Sequence, residues 1–139
     1  MRVKGEIKTM KQHILIVEDD NVLQEMYCEK FEMDGFKVEK AATGREGLKT
    51  LEKSVPDIIL LDILMPDMNG LEMLKEMKKN RDFRDIPVIL LTNLGESKID
   101  MDSELSFALG IKDYLIKTKH TPDDVSKRAK QRGIGQLGT

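Results

Sequence analysis

Apolar residues along the chain fall into short unbroken runs, each followed by residues at helical spacing. Ile14-Leu15-Ile16-Val17, Ile58-Ile59-Leu60-Leu61 and Val88-Ile89-Leu90-Leu91 contain no polar alternation. Apolar runs this short predict strands buried on both faces, as in parallel sheets. Phe36-Lys37-Val38-Glu39-Lys40-Ala41 alternates instead, which suits a strand near a sheet edge, and Tyr114-Leu115-Ile116 predicts a fifth strand. Between them lie helices. Asp20 is placed as an N-cap and Gly35 as the stop of a helix whose inner face is predicted as Val22, Leu23, Met26, Tyr27 and Phe31. Thr43-Gly44-Arg45-Glu46 has the form of a capping box, and the helix after it turns Leu48 and Leu51 inward. The helix after Gly70 buries Leu71, Leu74 and Met77, and a polar loop closes at Pro87. A less regular stretch from Asn93 to Leu109 ends at Gly110, and Thr121-Pro122 opens the last helix. That helix holds few apolar residues, chiefly Val125 and Ala129, so weak packing is expected.

Strand and helix alternate five times. This predicts an α/β fold, a doubly wound five-stranded parallel sheet with helices on both faces. A length of 139 residues suits one domain. Residues 1–11 are polar and basic without period, predicting a flexible tail. Residues 133–139 hold three glycines and predict another, leaving 12–132 as the domain.

Composition narrows the function. The net charge of −2 provides no global attraction to nucleic acid or anionic membrane, and the absence of Trp leaves little for base stacking. No apolar run approaches a membrane span, and the chain does not open on a secretory pattern. A single cysteine, Cys28, fits a reducing, cytoplasmic setting and reads as a buried or half-buried thiol rather than a reactive one. His13 and His120 lack partners at metal-ligand spacing and read as solvated.

The polar residues that end the strands carry the chemistry. They are Glu18 and Asp19 after the first strand, Asp62 ending the third, Thr92 the fourth and Lys117 after the fifth. In a parallel sheet all share the carboxyl edge, where ligands bind in open α/β folds. Neighbouring strands are roughly 4.8 Å apart. If the first and third are neighbours, Asp19 and Asp62 come within reach of one ion. Oxygen donors that leave room for water and phosphate suit Mg²⁺ better than Ca²⁺.

This set resembles the receiver domain of two-component response regulators. The matching elements are Ile14-Leu15-Ile16-Val17-Glu18-Asp19, Leu61-Asp62-Ile63-Leu64-Met65-Pro66-Asp67-Met68-Asn69-Gly70, Leu91-Thr92 and Asp113-Tyr114-Leu115-Ile116-Lys117. The resemblance spans about residues 12 to 130. It implies the flavodoxin-like strand order 2-1-3-4-5. It implies that Asp62 accepts a phosphoryl group from a sensor histidine kinase or phosphotransfer protein. Glu18, Asp19, Asp62 and the Leu64 carbonyl would bind Mg²⁺, Lys117 and Thr92 would hold the phosphate, and Thr92 with Tyr114 would switch a surface read by a downstream protein. Direct nucleic-acid or membrane binding is not expected, and the chain should be a monomer or weak homodimer without its own output domain. It would catalyse only its own phosphorylation and a slow dephosphorylation.

Some positions depart from the family pattern. Thr118 stands where proline usually follows the lysine, which predicts a trans Lys117–Thr118 bond, because a cis bond before a non-proline residue costs roughly 3 kcal/mol. Asn93 is bulkier than the usual residue after the threonine. Leu64 and Leu94, at the two positions that tune phosphate lifetime, can neither orient nor hydrogen-bond a water. Two other functions compete. A Mg²⁺-dependent phosphatase of haloacid-dehalogenase type would need an acid/base Asp where Leu64 stands. A receiver-like interaction module that is never phosphorylated would have no use for the acidic pair and Lys117, while Thr118 and the altered stretch after the fourth strand keep that reading open.

Overall fold

The structure is a computed structural model that describes residues 12–63, 65, 67–92, 111–117 and 120–137. The Leu64 carbonyl, Thr118 and its peptide bond, Asn93, Leu94, the stretch to Gly110 and the 1–11 tail lie outside the described residues.

Five strands form one parallel sheet in the order β2-β1-β3-β4-β5. They are β1 (His13–Val17), β2 (Lys37–Ala41), β3 (Ile58–Asp62), β4 (Val88–Thr92) and β5 (Ile111–Ile116). Among the described residues four helices connect or follow them: α1 (Asn21–Met33), α2 (Gly44–Lys53), α3 (Gly70–Lys78) and α4 (Pro122–Leu137). None is long and apolar enough to cross a membrane.

The unbroken apolar runs are explained by the two faces of the sheet. Successive side chains point to opposite sides. Leu15, Val17, Ile59 and Leu61 pack with Leu51, Met73, Leu74 and Met77 of α2 and α3. Ile14, Ile16, Ile58, Leu60, Ile89 and Leu91 pack with Tyr27 and Phe31 of α1 and Val125 and Ala129 of α4. A strand with helices on both sides has no solvent face on which a polar residue could sit. β2, at the edge, keeps only Ala41 fully inside.

The end of α1 shows how local chemistry turns the chain. Gly35 adopts φ 96°, a left-handed conformation that favours glycine. The Gly35 N–H donates to Glu32 O and the Phe36 N–H to Phe31 O, the pairing of a Schellman cap. The Phe31 and Phe36 rings meet edge to face, 5.1 Å apart, on the same cap.

Several expectations need correction. The inner face of α1 is Gln24, Tyr27, Cys28 and Phe31, whereas Val22 and Met26 are 70% and 45% exposed. The polar loop before Pro87 contributes Phe83 and Ile86 to the core. A reciprocal capping box lies at Asn69–Glu72. At Thr43 the hydroxyl caps Glu46 N–H, but Glu46 reaches back to Ala42 N–H. His13 is not solvated: its Nε2 lies 2.6 Å from Glu39, and its backbone N–H donates to the Asp57 carboxylate. α4 continues through 133–137 to Leu137, past the end expected from the glycines.

α4 also packs more firmly than its few apolar residues suggest. Val125, Ser126 and Ala129 are fully buried. The Ser126 hydroxyl donates to Asp34 at 2.5 Å, and Lys30 pairs with Asp123 at 2.9 Å. Polar contacts to the end of α1 therefore supplement a narrow apolar seam. Thr121 and Asp124 cap the helix reciprocally.

Candidate functional site

β1 lies between β2 and β3, and connections leave it in opposite directions. The crevice at its carboxyl end is the switch point where α/β sheets bind ligands. Val17 is in register with Ala41 and Leu61, so the next residues, Glu18 and Asp62, emerge side by side. Asp62 in turn is level with Leu91, one residue before Thr92. Thr92 is paired with Ile116, the residue before Lys117. Parallel register thus brings four strand ends to one edge.

Glu18, Asp19 and Asp62 each offer a carboxylate oxygen within 4.8 Å of the others. Glu18 and Asp62 are buried, whereas Asp19 is exposed. The Lys117 ammonium bridges the buried pair, 2.6 Å from Glu18 Oε1 and 3.1 Å from Asp62 Oδ2. The second Glu18 oxygen accepts the Asp20 N–H at 3.1 Å. Asp20 itself caps α1, accepting from the Val22 and Leu23 N–H groups. In the acidic triplet, Asp20 is the structural residue, and Glu18 and Asp19 face the crevice.

Three carboxylates and one ammonium leave the cluster negative. Burial first, and then the Glu18 charge, push the Asp62 carboxyl up to about 7 against the pull of Lys117. Burial alone would lower the Lys117 ammonium, but the contacts with Glu18 and Asp62 outweigh it and hold it above its ordinary value. Tyr27 lies beneath the site, fully buried, and its hydroxyl is held above the usual phenol range by burial and by the Glu18 and Asp62 charges. A buried carboxylate that resists ionising calls for a cation. The oxygen-only donor set of Glu18, Asp19 and Asp62 fits a hard divalent ion.

The loop after Asp62 folds back tightly. The Gly70 N–H donates to Ile63 O at 2.9 Å. A Cβ at Gly70 would collide with the Asp62 carbonyl, so only glycine fits there. Asp67 has φ 67° and pairs with Arg45 at 3.0 Å. The Gly44 N–H donates to Met68 O at 3.3 Å, so α2 holds the loop from its other side.

Of the residues predicted from sequence, Glu18, Asp19, Asp62 and Lys117 come together. Thr92 and Tyr114 take their strand positions in β4 and β5. Gln24 was missed. It is a buried amide whose Nε2 donates to Glu18 O and Ala41 O, each at 3.0 Å. Its only signal in the sequence is a polar residue in phase with Tyr27, Cys28 and Phe31.

Known proteins match this arrangement. The family model for the response regulator receiver domain matches residues 14–130. The chain is 41% identical over 104 residues to the transcriptional regulatory protein CpxR homolog of Haemophilus influenzae, covering 75% of this chain and 43% of that protein. It is 34% identical over 121 residues to the phosphate regulon transcriptional regulatory protein PhoB of Escherichia coli, covering 87% and 51%. The chain thus spans about half the length of these curated relatives. A CheY-like receiver domain protein from Methanospirillum hungatei JF-1 superposes with a TM-score of 0.79 at 30% identity, covering 93% of this chain and 98% of that one. With strand order, site and family model in agreement, the chain belongs to the response regulator receiver domain family of two-component systems.

Proposed function

We propose that the chain accepts a phosphoryl group on Asp62 from a sensor histidine kinase or phosphotransfer protein, with Mg²⁺ as cofactor. The observation that carries this reading is the convergence of Glu18, Asp19, Asp62 and Lys117 at one strand edge. An Asp62 oxygen attacks phosphorus as the P–N bond of a phosphohistidine breaks, and the leaving imidazole keeps the bond's electron pair. Glu18, Asp19, Asp62 and the Leu64 carbonyl would hold Mg²⁺, which would offset charge on the phosphoryl oxygens. Lys117 starts on Asp62 Oδ2 and follows the new negative charge onto the phosphoryl group. Thr92 holds another phosphate oxygen.

The phosphoryl group adds about −1.5 to −2 charges. Movement of Thr92 then biases the packing of Tyr114 and shifts the population of a surface read by a downstream protein. Val22 and Met26 form an exposed apolar rim on α1, just past the acidic loop, and suit a protein donor. Transcriptional regulation, the role in these relatives' names, belongs to longer proteins, of which this chain covers 43% and 51%. We carry over only the receiving step, in a cytoplasmic setting.

The test is incubation with Mg²⁺ and acetyl phosphate, read by intact mass. One added phosphoryl group is expected, lost with chelator and lost in Asp62→Asn. No adduct in the unmodified protein at saturating Mg²⁺ would favour an unphosphorylated interaction module.

A further inference from the structure

Gln24 is the one buried amide side chain on the inner face of α1. A buried amide is tolerated only when its hydrogens are paired. Both are paired, with Glu18 O and Ala41 O at 3.0 Å each. The Ala41 carbonyl also accepts the Glu18 N–H at 3.0 Å, and the Gln24 N–H donates to Asp20 O at 2.8 Å. The Glu18–Asp20 turn is therefore held on every side. The Glu18 N–H is fixed to β2, the Glu18 C=O to Gln24, the Asp20 N–H to the Glu18 carboxylate and the Asp20 C=O to α1.

The Glu18 carbonyl is the informative member, because it belongs to the peptide plane that joins Glu18 to Asp19. Holding that oxygen on one side, with the Asp20 N–H anchored on the other, restricts the backbone at Asp19 and with it the direction in which the Asp19 side chain leaves the chain. Asp19 is the exposed member of the acidic trio, so its aim is not set by burial.

We infer that Gln24 is a positioning residue for the divalent cation, acting through the Glu18–Asp19 peptide without touching the ion. The inference deepens the proposed function and rests on it. Without the amide donors the Glu18 carbonyl is left without its partner from α1, the plane is held less tightly, and Asp19 spends less time aimed at the crevice. Cation affinity should then fall, while chemistry at Asp62 persists once the ion is bound.

The test uses the full chain with Mn²⁺ as probe, the free ion being read by its electron paramagnetic resonance signal. Gln24→Met keeps length and removes both donors. Its dissociation constant for Mn²⁺ should rise about tenfold, and its acetyl phosphate rate should fall at low Mg²⁺ and recover at saturating Mg²⁺. An unchanged dissociation constant, or a rate that saturating Mg²⁺ does not recover, would overturn the inference. Should Gln24→Met fail to fold, Gln24→Asn, which keeps the amide but shortens its reach, is read by the same two criteria. Failure of the unmodified protein to bind Mn²⁺ would instead overturn the functional reading beneath.

Discussion

Replacing Asp62 with Asn should stabilise the metal-free protein, and increasingly so as pH rises. The ordinary Asp carboxyl titrates at 3.8, and burial beside Glu18 raises Asp62 to about 7. Between those values the folded state keeps a proton that the unfolded state has lost. Stability therefore falls as pH rises through this window, and the loss is complete above about 7. Each pH unit is worth about 1.4 kcal/mol, which sets a ceiling of about 4 kcal/mol. The pull of Lys117 is already contained in that rise, and the Asn side-chain oxygen can still accept from the ammonium. Lys117 still has Glu18 at 2.6 Å, so its charge stays paired. The advantage of Asn over Asp should therefore grow by about 3 kcal/mol in moving from pH 4.5 to pH 8. Urea unfolding followed by circular dichroism, in chelator, measures it for both proteins at both pH values. An advantage that does not grow with pH, or a variant less stable than the parent at pH 8, would refute the crowding argument.

Other consequences can be checked separately. Gly70→Ala should cost about 1–3 kcal/mol in urea unfolding, because its methyl group meets the Asp62 carbonyl with nowhere to move. Ser126→Ala should cost about 1–3 kcal/mol by removing the bond that ties α4 to Asp34. The Ser126 hydroxyl holds the Asp34 carboxyl below its usual range. That contribution is therefore present at neutral pH and lost as pH falls through the lowered value, so parent and variant should converge in acid. Leu64→Asn should shorten the lifetime of the phosphorylated protein, because an amide can orient water where Leu cannot; phosphoryl decay followed by intact mass reads it, and an unchanged decay counts against the idea.

The strands were legible because burial on both faces leaves a simple mark, an apolar run that ends abruptly. β1, β3 and β4 are such runs, and the residues that end or follow them build most of the site. Helix faces were harder to read. In α1 the apolar residues Val22 and Met26 compete with Tyr27 and Phe31 for the inner phase, and periodicity counted them together. The sheet selected the stripe that carries Gln24, because the Glu18 and Ala41 carbonyls, buried at the strand ends, take its amide donors. Hydrophobic pattern cannot anticipate a polar residue buried to satisfy backbone. α4 was underrated for a related reason. Its attachment includes Ser126 with Asp34 and Lys30 with Asp123, pairs 92 and 93 positions apart, which no local pattern reveals. Phe83 and Ile86 sit among polar neighbours and turn inward only because the end of the sheet needs covering.

The proposed role of Asp62 as the residue that receives the phosphoryl group can be tested chemically. Borohydride reduction of the phosphorylated protein converts an aspartyl phosphate to homoserine, and peptide mass mapping locates it. Homoserine at position 62, formed only when Mg²⁺ was present during phosphorylation, is the predicted result. Phosphoryl transfer that leaves Asp62 unreduced, or homoserine at another aspartate, would contradict the account.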